Sequence, residues 1–450
     1  MMKNVLHLKA PGNWINDPNG FIYYKGKYHL FYQHFPYAPV WGTMHWGHAV
    51  SEDLVHWEHQ GIALFPTKDY DRNGVFSGSA LEVDGKLYLY YSAVKYLETE
   101  SENIHMAKDG KFETSQAMVV SEDGVHFDNW KAKTQIIPVN HDASQAHDTH
   151  TRDPKVWKEG DTYYMALGST MGEEIGRLVI YTSKDGIHWE FANQMQDRRF
   201  GKILECPDIF RVGDDWVFEG SAMYIGDPEE GYESHAICAP AVFEPGKCEL
   251  SISGECKYMD YGMDLYAPQT NLDKDGRRVM IGWMRMPQAV KEKNGMEWNG
   301  MMCQPRVIDV ENGHIFFRVH PEVRAYFNQE TPIPEKLDYS RPFCLKMNLE
   351  EGEILNIGGY RIWMENGAVH TDRSIVFAGM KSCPLIGKSP DVSGRCELEI
   401  FVYKNLIEIF INDGEFVISH VVYGLGECME LSCSSGKKIL FLRHGGDEEM

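Results

Sequence analysis

The chain has 450 residues, enough for roughly two or three domains and a large core. Its 44 Lys and Arg against 66 Asp and Glu leave a net charge of −22, with no run of five basic residues, which argues against nucleic acid and anionic membrane as partners. No apolar run reaches the roughly 18–20 residues of a membrane span.

The segment Met1 to Lys9 lacks the apolar core of a secretion signal, and the ten cysteines are scattered without a CxxC pair. A reduced, cytoplasmic protein is expected, one that sees only small substrates delivered by a transporter.

From the first turn onward, five segments repeat one layout: an opening polar corner, an alternating strand, a Gly-bearing turn and an aromatic-rich strand. The first runs from Asp17-Pro18-Asn19-Gly20 through Lys25-Gly26-Lys27 to Tyr28-His29-Leu30-Phe31-Tyr32. The others open on Phe76-Ser77-Gly78-Ser79, Arg152-Asp153-Pro154, Glu205-Cys206-Pro207 and Tyr266-Ala267-Pro268. Their turn glycines are Gly26, Gly85, Gly160, Gly213 and Gly276, spaced 59, 75, 53 and 63 residues apart. This is hairpin chemistry. A second echo lies late in three units: Ser51-x-Asp53, Ser121-x-Asp123 and Ser183-x-Asp185, each with an aromatic residue four positions beyond the Asp (Trp57, Phe127, Trp189). Units of about four strands at this spacing read as blades, so residues 1–320 are expected to form a five-bladed β-propeller, with a β-sandwich of irregular hairpins as the alternative.

The pattern stops near residue 320. Val323 to Phe327 suits a helical turn, and Thr331-Pro332-Ile333-Pro334 a stiff connector, so residues 321–335 read as a linker. In residues 336–450, Leu398, Ile400 and Val402 alternate with Glu397, Glu399 and Phe401, and Ile407, Ile409 and Ile411 with Glu408 and Phe410. Asn412-Asp413-Gly414 then supplies a hairpin turn. This fits a β-sandwich in a supporting role. The fold class is all-β, a five-bladed propeller followed by a C-terminal β-sandwich.

In a propeller the first strand of each blade lines the axis, so Asp17, Asp153 and Glu205, which open units one, three and four, are expected to meet at one mouth. Three converging carboxylates are costly unless used, and their repulsion raises at least one pKa. A protonated acid beside an ionised carboxylate is the equipment of glycoside hydrolysis. The same axis would gather Trp14, Asn16, Gln33, Trp41, Trp46, Phe76, Ser77, Tyr266 and Trp283, aromatics to stack on a sugar and amides or hydroxyls to fix its hydroxyls.

Trp14-Ile15-Asn16-Asp17-Pro18-Asn19-Gly20, Phe76-Ser77-Gly78-Ser79, Arg152-Asp153-Pro154 and Glu205-Cys206-Pro207 together resemble glycoside hydrolase family 32, the β-fructofuranosidases. The resemblance extends to Trp41 through His48 and to Ile407 through Gly414. It implies a propeller plus sandwich and a retaining mechanism, with Asp17 as nucleophile at fructose C2, Glu205 as general acid then base, and Asp153, beside Arg152, as transition-state stabiliser. Asn16, Gln33, Trp41, Phe76 and Ser77 are implied as fructose-pocket residues. Two departures sit beside the pocket, His34-Phe35-Pro36 where Asn-Pro is frequent and Thr151 where an aromatic is common, and both bear on substrate preference.

The His-rich stretch His141 to His150 matches no common zinc spacing, so no metal and no cofactor are expected. The leading expectation is a hydrolase releasing terminal β-fructose from sucrose or short fructo-oligosaccharides. The same chemistry on sucrose 6-phosphate is the alternative, with Arg285, Lys291 and Lys293 near a rim. A non-catalytic sugar-binding propeller is the alternative of another class, and transfer of fructose to another sugar is a further variant. The partner is a small sugar, and self-association through the sandwich domain stays open.

Overall fold

A computed structural model describes residues 3–226, 231–377, 383–392, 394–432 and 439–446. All five turn glycines take positive φ, from 58° at Gly160 to 84° at Gly26 and Gly276. At Lys25-Gly26 and Asp84-Gly85 both central residues do so, the geometry that matches the twist of a tight hairpin. Five hairpins result: Asn13–Tyr24 with Lys27–Phe35, Gly74–Val83 with Lys86–Tyr96, Arg152–Glu159 with Thr162–Met171, Ile203–Val212 with Asp215–Met223, and Leu265–Leu272 with Arg278–Met284. Each gains a third and fourth strand and becomes one blade, numbered 1 to 5 here in chain order.

The first strand of each blade packs against the first strand of the next, and that of blade 5 against that of blade 1. The ring is therefore closed. A chain segment also crosses the closure: Glu297–Asn299 leaves blade 5 and pairs in parallel with Asn13 and Trp14, and Val290–Lys291 extends that sheet.

The Ser-x-Asp echo is one turn built three times. In each, the Asp Oδ1 accepts the backbone N–H groups two and three residues on, and its Oδ2 meets a histidine Nδ1: His56 at 2.6 Å, His126 at 2.6 Å and His188 at 2.7 Å. This Asx geometry bends the third strand into the fourth.

Residues 321–335, expected as a linker, are partly structured. Pro321–Tyr326 is a short helix with Pro at its first position and His320 as its cap, and Gln329–Thr331 pairs with Leu440–Arg443 as an edge strand of the sandwich. The sandwich is two antiparallel sheets, one built around Phe343–Leu349, Cys396–Tyr403, Leu406–Ile411 and Phe416–Val421, the other around Ile354–Ile357, Tyr360–Glu365 and Ala368–Asp372. Its core holds Leu398, Ile400, Val402, Ile407, Ile409 and Ile411.

The opposite face of those strands is exposed at Glu397 but covered further along. Phe401, Leu406 and Phe410 join the propeller's cluster with Phe317 and Val319. Glu408, on the same face, is fully buried. It accepts from His7 at 2.7 Å, from the Gln304 amide at 3.0 Å and from Arg306 at 3.0 Å, and Arg306 also reaches Asp260 at 2.9 Å. Buried charges of this kind must be paired to be tolerated.

Candidate active site

Each inner strand carries an irregularity at its opening end. The pairing register shifts between Ile15 and Pro18, Val75 and Gly78, Arg152 and Lys155, Glu205 and Asp208, and Tyr266 and Gln269. A bulge re-aims side chains, and here five bulges aim theirs at the same mouth. In blades 3, 4 and 5 the first residue inside the shift has positive φ, Asp153 at 65°, Cys206 at 44° and Ala267 at 48°, and a proline follows. Such conformations cost energy for non-glycine residues and persist where surroundings fix them.

In this register Glu205 stands level with Arg152 and Tyr266, while Asp153 stands level with Cys206 and Ala267. Equivalent positions on successive blades are neighbours around the ring, and they bond accordingly. Arg152 donates to Glu205 Oε1 through Nη2 at 2.8 Å and Nε at 3.2 Å, and the Tyr266 hydroxyl donates to Glu205 Oε2 at 2.7 Å. One level on, the Cys206 amide donates to Asp153 Oδ2 at 2.9 Å.

Asp17 receives the Ser77 hydroxyl at 2.5 Å and the Asn16 amide at 3.1 Å, and Trp14 Nε1 fixes Asn16 by donating to its Oδ1 at 2.8 Å. The Cys206 thiol lies 3.8 Å from Asp17 Oδ2 and 3.6 Å from Asp153 Oδ2, so one sulfur touches two carboxylates. Burial pushes this thiol well above its usual range, which keeps it a weak donor rather than a thiolate.

Burial pushes Asp17 up to about 6; Ser77 and Asn16 pull it back by donating, and the Glu205 charge adds to the rise. Asp153 is raised as well, by burial and by Glu205 and Asp17, against the pull of Arg152. The expectation of mutually repelling carboxylates holds in direction, with loss of water the larger cause. Burial also works against the charge on Arg152, but Glu205 and Asp153 outweigh it and the guanidinium stays protonated.

The three carboxylates open onto a cavity of about 400 Å³ lined also by Asn16, Gln33, Trp41, Phe76, Ser77, Arg152, Tyr266 and Trp283. Trp14 and Trp46 lie behind this wall. Trp14 packs edge-on to Trp283 at 5.8 Å, and Trp46 is buried and donates to the Phe76 carbonyl at 3.0 Å. Gln33 is held by its own bond to the Val75 carbonyl at 3.0 Å.

Sequence reading missed Tyr96, Met106, Phe112 and His150, which also line the wall. His150 ends the His-rich stretch. Its Nδ1 lies 3.0 Å from Arg152 Nη1, and since a guanidinium can only donate, that nitrogen accepts and the proton sits on Nε2. Burial and Arg152 push His150 down to about 3, so it is neutral. Arg285, expected near a rim, is half-buried behind Tyr266 and does not line the cavity; it donates to the Ser234 and Met263 carbonyls. Lys291 pairs with Glu297 at 3.3 Å, and neither it nor Lys293 lines the cavity.

A closed five-bladed ring whose mouth presents three carboxylates among aromatic and amide side chains defines a glycosidase. Residues 7–321 match the N-terminal domain and residues 341–441 the C-terminal domain of the glycosyl hydrolases family 32. The chain belongs to that family. It is similar to sucrose-6-phosphate hydrolase of Escherichia coli, 32% identical over 98% of this chain and 93% of the relative, and to raffinose invertase of Escherichia coli, 31% identical over 98% and 92%. Among solved structures it resembles the family 32 β-fructofuranosidase of Bombyx mori, with a TM-score of 0.79 and 26% identity, covering 97% of this chain and 93% of that one.

Proposed function

We propose that this fructofuranoside-cleaving glycosidase works by the retaining route, with Asp17 attacking the anomeric carbon of a terminal fructosyl unit. Glu205 protonates the departing oxygen and later takes a proton from the incoming water. Asp153 holds fructose hydroxyls while positive charge develops on the ring.

The observation that carries this reading is the contrast between two carboxylates at one cavity. Asp17 is dressed by neutral donors, Ser77, Asn16 and the Cys206 thiol, which leave it an available anion. Glu205 is fixed by a cation on one oxygen and a phenol on the other, so its plane is set while its charge changes through the cycle. No two of the nine described cysteines form a disulfide, which supports a reducing, cytoplasmic setting.

Sucrose and short fructo-oligosaccharides are the substrates this cavity suits. Its one guanidinium, Arg152, is committed to Glu205 and His150, and its walls are aromatic. Sucrose 6-phosphate is the second reading. It is favoured by the relatives' activity and by the exposed Lys111, which stands between the lining residues Gly110 and Phe112.

Two measurements test this. Asp17→Ala and Glu205→Ala are each expected to abolish sucrose hydrolysis in a folded protein, and near-normal turnover in either overturns the mechanism. Comparing kcat/KM on sucrose, sucrose 6-phosphate and a fructose trimer decides the substrate. A strong preference for the phosphate ester that Lys111→Ala removes establishes the second reading.

A further inference from the structure

The strand that carries Tyr266 starts at a residue gripped by the other domain. Asp264 is fully buried and immediately precedes Leu265–Leu272. Both of its oxygens accept from Arg373 of the sandwich, Oδ1 from Nη2 at 2.9 Å and Oδ2 from Nη1 at 2.5 Å, and Oδ2 also takes the Val421 amide at 2.8 Å. Arg373, itself fully buried, also donates to the Pro384 carbonyl at 2.8 Å and the Val421 carbonyl at 2.9 Å, and lies 3.9 Å over the Phe377 ring. A fork held through all three of its nitrogens has one position open to it.

That position is passed on to the cavity. The Arg285 amide donates to the Asp264 carbonyl at 2.9 Å, and its guanidinium lies 3.8 Å over Tyr232 and 4.9 Å over Tyr266. Two residues beyond Asp264, the Tyr266 hydroxyl reaches Glu205 at 2.7 Å, and the next residue, Ala267, holds its positive φ. A backbone in that region stays there only while both sides pin it. On one side the pin is the Ser221 hydroxyl, 3.0 Å from the Ala267 amide; on the other it is Asp264.

We propose that Arg373 is a positioning residue for cleavage: by clamping Asp264 it sets where Tyr266 meets Glu205, so the second domain places an acid that it does not touch. The proposal rests on Glu205 being the group that protonates the leaving oxygen.

Arg373→Lys keeps the charge and loses the fork. Its kcat/KM is measured on sucrose and on an aryl β-fructofuranoside, whose phenolate departs without a proton, beside Glu205→Gln, Tyr266→Phe and the Arg373→Lys/Tyr266→Phe double variant. Loss of protonation by a displaced acid predicts a fall of about tenfold or more on sucrose, less than about twofold on the aryl substrate, and no added fall in the Tyr266→Phe background. Equal losses on both substrates, an additive double variant, or unchanged rates overturn the proposal. If Glu205→Gln itself shows no dependence on leaving group, the assignment of Glu205 is what fails. Should Arg373→Lys not fold, Asp264→Asn, which keeps the side-chain volume and weakens the same clamp, carries the identical comparison.

Discussion

Ser77 donates its hydroxyl to Asp17 across a blade boundary, Oγ to Oδ2 at 2.5 Å. This bond stabilises the ionised carboxylate, against burial that pushes Asp17 up to about 6. The nucleophilic form is therefore lost as pH falls through about 6, and kcat/KM on sucrose is expected to decline on that side. Removing the donor in Ser77→Ala raises the Asp17 pKa further. A hydrogen bond to a charged group is worth about 1.5–3 kcal/mol, so the acid limb should move up by about one pH unit or more. A pH–rate profile of the two proteins checks this, and an unmoved limb would contradict it.

The buried cluster of His7, Arg306 and Glu408 ties the N-terminal segment and blade 5 to the sandwich. Removing one partner leaves a charge without compensation, so Glu408→Ala is expected to cost about 3–5 kcal/mol. Burial opposes the Glu408 charge, but His7 and Arg306 prevail and hold its carboxyl below the usual range. A depressed folded-state pKa means that this stability is complete above the unfolded value, roughly 4.3, and fades as pH falls toward the folded one. Urea unfolding at neutral and acidic pH should show a gap between wild type and Glu408→Ala that narrows in acid.

Gly78 and Gly85 separate two reasons for a glycine. A Cβ at Gly78 would meet the Tyr90 carbonyl oxygen at 1.9 Å, and the Gly78 amide and carbonyl bond to Asn19 and Gln269. Gly85 has φ of +78° and nothing within 4 Å of a Cβ. Gly85→Ala should cost about 1–2 kcal/mol and leave kcat unchanged. Gly78→Ala must push the first strand of blade 2 off its own second strand, beside Ser77, so activity is expected to fall along with the unfolding midpoint. Activity assays with chemical denaturation of both variants test the distinction.

Leu406→Ala probes the other face of the sandwich. Leu406 is fully buried against the propeller's cluster, and a Leu→Ala change in a core costs about 2–5 kcal/mol. A loss below about 0.5 kcal/mol in urea unfolding would mean that this face is not packed.

The propeller and its three carboxylates are readable because the repeat is local: each corner, turn and strand lies within a few dozen residues, and turn chemistry marks it. What lies a blade or a domain away is not. The prolines at 154 and 207 already set Glu205 level with Arg152, but the bond between those two side chains, 2.8 Å across a blade boundary, follows only from closing the ring. Glu408 alternates like a solvated strand residue, because its partners His7 and Arg306 are separated from it by 401 and 102 residues. Val290–Lys291 and Glu297–Asn299 are too short to carry a period. His150 shows in the sequence only as the end of a His-rich stretch without zinc spacing, and its bond to Arg152 comes from the fold.

The parallel pairing of Trp14 with Asn299 has a consequence for biosynthesis. Asp17 is the first of the three carboxylates to leave the ribosome, yet the strand that seals its blade is made some 285 residues later, on the order of 15–60 s at ordinary elongation rates. Until then the growing chain exposes an open sheet edge beside a half-built pocket. Asp17 is translated first and enclosed last.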